Sequence, residues 1–174
     1  MTVVALVLLA LVAAVGLLLT GLGERRRPVW GAGVLAVLLA AAAAVAWPAG
    51  PASEGLAEGA VLAAVLAAVT AGSPVATAVL RAADPTAAGV MGGPSDPQVL
   101  RGGAWIGVLE RAAVAGTLLA GWPEGLAVVL AVKGLGRYNE LRETPAASER
   151  FILGTLASSL WAAACVGVAV LVRS

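Results

Sequence analysis

Three ionisable side chains sit inside otherwise apolar stretches. Glu110 and Arg111 lie in the run from Trp105 to Trp122, and Lys133 lies in the run from Gly125 to Tyr138. A charge at the bilayer centre costs about 2.5–3.5 kcal/mol on insertion scales, so it faces protein or water and carries a partner. Glu110 is twelve residues before Trp122, and Lys133 is eleven after it. On antiparallel helices joined at that turn, both lie about 16–18 Å below it. The matched depth predicts a Glu110–Lys133 ion pair. Arg111 points about 100° round the helix from Glu110. It must pair elsewhere or snorkel toward the cytoplasmic face.

Other polar residues gather nearby. Lys133 and Arg137 are four apart and are expected to share a helix face. Tyr138 adds a hydroxyl near the inner interface, and the following loop carries Glu140, Arg142, Glu143 and Glu149. Thr144-Pro145 reads as a helix N-cap followed by proline at the first helical position. Thr155, Ser158 and Ser159 lie on adjoining faces of the last helix and can hydrogen-bond to neighbours. The membrane-embedded tally is one acid, Glu110, against three bases, Arg111, Lys133 and Arg137. Excess positive charge there suits an anionic lipid headgroup or a small anion. The same charges can also serve only to pin the last three helices together, with Glu140 or Glu149 supplying the missing negative charge. The residues to test are Glu110, Arg111, Lys133, Arg137, Tyr138, Glu149 and Thr155.

The counts remove several chemistries. There is no His, which excludes His bases, His metal sites and His-containing triads. Cys165 is the single cysteine and lies in an apolar run, so no disulfide or thiolate metal site is expected. With 11 bases, 10 acids and a net charge of +1, no basic block is large enough for nucleic acid. Without paired carboxylates or an activated nucleophile, an intramembrane enzyme is the weakest reading, and no cofactor is expected.

The elements that must position these residues follow from composition. Of 174 residues, 60% are apolar and 12% charged, against about 45–50% and roughly 25% in soluble domains. Lipid is therefore the expected solvent. The sequence predicts an all-α, polytopic membrane protein of six spans, or five if the short fifth does not cross. The spans are 3–20, Trp30–Trp47, about Gly59–Leu80, Trp105–Trp122, Gly125 to about Tyr138, and about Phe151–Val172. Glu24-Arg25-Arg26-Arg27-Pro28 reads as a charged stop, and 81–103 as a Gly/Pro-rich linker. Arg25, Arg26, Arg27, Arg81, Arg101, Arg137, Arg142 and Arg150 fall in alternate connections. The positive-inside rule then puts those loops in the cytoplasm and both termini outside, in the cell inner (plasma) membrane.

Trp30 and Trp47 are seventeen apart, as are Trp105 and Trp122, close to the spacing of the two interfacial belts. Trp47-Pro48-Ala49-Gly50 and Trp122-Pro123-Glu124-Gly125 open alike, with proline ending each helix and glycine permitting reversal. Trp161 falls mid-span and is expected to pack between helices. Residues 1–80 hold no charge between Thr2 and Leu22 or between Val29 and Ser53, and read as an apolar scaffold. Residues 104–174 carry the intramembrane charges.

Three segments resemble those of an uncharacterised family of bacterial integral membrane proteins, over about residues 102–158. The first is Ala104-Trp105-Ile106-Gly107-Val108-Leu109-Glu110-Arg111, resembling G-R-x-I-G-x-L-E-R. The second, Ala131-Val132-Lys133-Gly134-Leu135-Gly136-Arg137-Tyr138-Asn139-Glu140-Leu141, resembles A-A-K-S-x-x-R-F-x-E-L. The third, Glu149-Arg150-Phe151-Ile152-Leu153-Gly154-Thr155-Leu156-Ala157-Ser158, resembles E-Y-x-L-I-G-T-L-x-S. Gly134 stands where that family has Ser, and Arg150 where it has Tyr. The resemblance implies a bacterial membrane protein and points to the same candidate residues without naming a reaction. Two functions follow as expectations. One is binding or moving an anionic lipid headgroup or small anion near the cytoplasmic leaflet. The other is a non-catalytic accessory subunit, with a membrane-protein partner or further copies of itself in the bilayer.

Overall fold

The computed structural model describes residues 1–21, 30–83, 103–143 and 145–174. The Glu24–Pro28 stop, most of the 81–103 linker with Arg101, and the Thr144 cap lie outside them, as do the side chains of Glu140 and Glu143. Among the described residues the chain is all helical. It forms α1 (Thr2–Gly21), α2 (Trp30–Ala46), α3 (Glu54–Ala83), α4 (Gly103–Leu119), α5 (Gly125–Gly136), α6 (Tyr138–Glu143) and α7 (Pro145–Arg173).

Three helices are long and apolar enough to cross a membrane: α1, α3 and the Ser148–Arg173 part of α7. This is fewer than the six spans expected from hydrophobic runs. The runs were bounded by their tryptophans, but the helices stop sooner. At 17 residues each, α2 and α4 reach ~25 Å, and the 12 residues of α5 reach ~18 Å. α5 stops at Gly136 rather than Tyr138, because Arg137 leaves helical geometry as its C-cap.

The burial pattern explains the layout. In α1 the buried residues are Ala5, Leu9, Val12, Gly16 and Leu19, a narrow stripe at alternating steps of four and three. Its opposite face is equally apolar and exposed at Val4, Val7, Leu11 and Leu18. A soluble protein would place charge there; hydrocarbon makes no such demand. α3 buries a wider band, Ala60, Ala63, Ala64, Ala67, Ala68 and Ala71, because it is flanked on two sides. It packs most extensively against α7 and α1. The core is therefore continuous across both halves of the sequence. Its alanines let helix backbones approach closely and pack by dispersion.

Contacts fix the directions. α1 runs parallel to α3, with Leu6 beside Gly59 and Gly16 beside Ala71. α7 runs antiparallel to α3. The Ala52 N–H donates to Val172 O at 3.1 Å at one end, the Trp161 indole N–H to Ala67 O at 3.2 Å midway, and Leu80 meets Gly154 at the other. Trp161 is thus wedged between helices, 7% exposed, as its mid-span position predicts. Trp30, Trp47, Trp105 and Trp122 are all exposed near helix ends.

The two Trp-Pro turns differ in how they reverse. After α2, Gly50 takes φ +67°. After α4 the left-handed residue is Gly121, at φ +69°, one position before the tryptophan. There the Trp122 N–H donates to Thr117 O at 2.9 Å and the Gly121 N–H to Leu118 O at 3.1 Å, a Schellman motif. α4 therefore ends at Gly121's bidding, before Pro123 is reached, and Gly125 already belongs to α5. The hairpins share composition but not turn geometry.

Candidate functional site

Antiparallel packing of α4 on α5 brings Glu110 and Lys133 together. Lys133 Nζ donates to Glu110 Oε2 at 2.5 Å, with side chains 21% and 16% exposed. The turn sets the register. A side chain at Gly125 would collide with Thr117 and the Trp122 ring, so only glycine lets α5 start this close to α4. The Lys133 ammonium also lies 5.7 Å from the Phe151 ring centroid, which ties α5 to α7.

Arg111 does not snorkel. It is 5% exposed and turns inward to α3 and α7. Its Nε donates to Val69 O at 3.1 Å, and Nη1 donates to Ser158 Oγ at 3.5 Å. Val69 is the midpoint of α3, so the guanidinium sits near mid-depth in the bundle. The stem needs a channel, and two glycines provide it. A Cβ on Gly72 would overlap Arg111 Cδ, and one on Gly107 would come within 3.1 Å of Nη1. Gly107 is one turn before Arg111 on α4, where helical side chains lie back over the preceding turn.

The polar face of α7 completes the cluster. Thr155 and Ser158 are 9% and 7% exposed. Thr155 Oγ1 is fully buried and has no hydrogen-bond partner. It lines a cavity of about 10 Å³ together with Glu110, Arg111, Lys133, Ser158 and Ser159. A larger hollow of about 470 Å³ lies on the opposite face of α7, among Ala40, Val75, Leu160 and Trp161. Its lining is apolar, with no polar group to orient a ligand, so the chemistry belongs to the smaller cavity.

The remaining predicted residues stand apart. Arg137 is exposed and is the C-cap of α5 rather than part of it; its N–H points back to Gly134 O and Leu135 O. Tyr138 is 54% exposed in α6, where the Arg142 guanidinium lies 5.5 Å from its ring. Glu149 is exposed on the second turn of α7. The structure thus joins Glu110, Arg111, Lys133 and Thr155, and leaves Arg137, Tyr138 and Glu149 near the bundle end. It adds Val69, Gly72 and Gly107. The Gly107–Arg111 spacing of four was the one sequence signal for that channel.

Glu110 and Lys133 neutralise each other, and the Arg111 guanidinium is a second buried cation beside them. In a low-dielectric interior such a charge acts strongly on whatever enters. Comparison with protein-family models, with curated proteins and with solved structures finds no match to this chain.

Proposed function

We propose that this chain is a multi-pass protein of the cell membrane that binds or moves an anion at the α4–α5–α7 cluster. The anion is a lipid headgroup or a small free anion, taken from the cytoplasmic leaflet. In this reading α2, α4 and α5 also cross, giving six segments with both termini outside. The bundle directions support it: Arg81, Arg137, Arg142 and Arg150 collect at one end, and Glu54 and Glu124 at the other, joined there by Arg173. The resemblance to the uncharacterised bacterial membrane family belongs to the same proposal. The observation that carries the reading is the small cavity lined by Arg111, Lys133 and the buried Thr155 hydroxyl, which has no hydrogen-bond partner.

A second reading, an accessory subunit, draws support from α5. This helix buries only Gly125 and leaves Val128, Val132 and Leu135 more than half exposed.

Native mass spectrometry from nanodiscs of mixed phosphatidylglycerol and phosphatidylcholine tests both. The first reading expects retained phosphatidylglycerol or a small anion, lost in Lys133→Ala. Undiminished retention in that variant would sink it. A stoichiometric protein partner would favour the second.

A further inference from the structure

We infer that the α4–α5–α7 cavity is a hydration site: one bound water bridges the Thr155 hydroxyl of α7 to the Glu110–Lys133 pair of α4 and α5. The inference stands without the anion-binding reading. Where that reading also holds, the water keeps the place that one oxygen of an incoming anion would take. Three observations carry it. The first is the hydroxyl. Thr20, Thr70 and Thr117 each return their hydroxyl to a carbonyl of the preceding turn. Thr155 does not: its Oγ1 is fully buried, lines the cavity and has no partner in the protein. Buried polar groups are nearly always paired, either with protein or with ordered water.

The second is the fit of guest to lining. About 10 Å³ is the space that one water needs. A buried water also needs about two to four polar partners, and the ion pair has bonding capacity to spare. Glu110 meets Lys133 through Oε2, so Oε1 can accept, and the ammonium carries hydrogens beyond the one it gives Glu110. Water both donates and accepts. It therefore suits a lining that holds a carboxylate, an ammonium and hydroxyls together, whatever else the neighbouring Arg111 binds. The pair's side chains are 21% and 16% exposed, which gives the water a way in.

The third is the seam that the water would close. α5 packs mainly on α4. Lys133 meets α7 at the Phe151 ring, not at a hydrogen-bond acceptor. A water at Thr155 supplies a hydrogen-bonded route from α7 to the pair.

Thermal unfolding in dodecyl maltoside tests this by the sign of one substitution. Thr155→Val keeps the shape and removes the hydroxyl. With the water bound, the variant loses a bond and strands the water, so Tm is expected to fall by about 3 °C. With Glu110→Leu and Lys133→Met in place, the water has lost its other anchors. Thr155→Val should then raise Tm, because it removes an unpaired hydroxyl. A rise in both backgrounds would mean that Thr155 is unpaired in the parent. An equal fall in both would mean that its partner lies elsewhere. Either result would overturn the inference.

A crystal structure from lipidic mesophase grown in sodium bromide reads the site directly and needs no variant. The expected result is one density peak within hydrogen-bonding distance of Thr155 Oγ1 and of Glu110 or Lys133, without anomalous signal. An anomalous bromide peak there would end the water assignment and support the anion reading. An empty cavity would also end the water assignment. Phosphatidylglycerol retention in nanodiscs would still decide the anion reading separately.

Discussion

Two of the contacts in this bundle are made of opposite materials. Between α1 and α3, Gly16 lies so close to Ala71 that a Cβ there would come within 2.7 Å of its backbone. No charge takes part. The polar groups that do occur are satisfied: the single Thr20 hydroxyl hydrogen is shared between Gly16 O and Thr70 O, and that of Thr70 between Leu66 O and Ala13 O. Among α4, α5 and α7, ionic groups meet across a small void, and one hydroxyl is left unmatched. A seam closed by shape has no room for a guest. A cluster closed by charge keeps one. That difference, rather than charge alone, is why we propose the second contact as the functional one.

The comparison can be broken most forcefully at the ion pair. Glu110→Ala leaves Lys133 without its counter-charge and is expected to cost about 3 kcal/mol. Denaturation in mixed micelles should show Glu110→Gln with Lys133→Gln recovering most of that loss. If the double variant also keeps anion binding, the pair is a fastener and Arg111 alone supplies the site.

The shape-closed seam should fail differently. Gly16→Val must push α1 off Ala71 and is expected to cost about 2 kcal/mol by overpacking. Gly33→Ala, where nothing lies within 4 Å, should be neutral or slightly stabilising. Equal effects at the two sites would show that α1 and α3 do not meet as described.

The smallest effect sharpens why α3 needs α1. Pro74 lacks the N–H that would bond Thr70 O in an unbroken helix. Thr20 supplies a donor to that carbonyl at 2.9 Å. Thr20→Val should cost about 1 kcal/mol. In a Pro74→Ala background the backbone donor returns, and the same substitution should cost less. A double-mutant cycle with no coupling would refute the exchange.

Much of this was legible in the sequence. Apolar runs located the long helices to within a few residues, but α6 lies where the sequence reads as a loop, because its six residues are polar and form no apolar run. Counting outward from Trp122 placed Glu110 opposite Lys133, since rise per residue is a constant of the helix. The ends were less legible. Gly121 terminates α4 because its left-handed backbone closes a Schellman motif, whereas the nearby Trp-Pro pair attracts the eye. Arg137 drops out of α5 although its spacing from Lys133 fits a helix face. The partners of Arg111 were not legible at all. One is the Val69 carbonyl, a group every residue carries, and only the docking of α3 on α4 selects it. The need for a channel through Gly72 has the same origin.

That channel has one more consequence. Lys133 rides on a flexible stem between Glu110 and the Phe151 ring, with part of the side chain exposed. Arg111 is threaded past Gly72 and Gly107, where a Cβ at either would crowd it. The bundle therefore owns two kinds of cation. One is a latch within reach of the surface. The other is a fixed bolt at mid-depth, which joins α4 to the backbone of α3 and to a hydroxyl of α7.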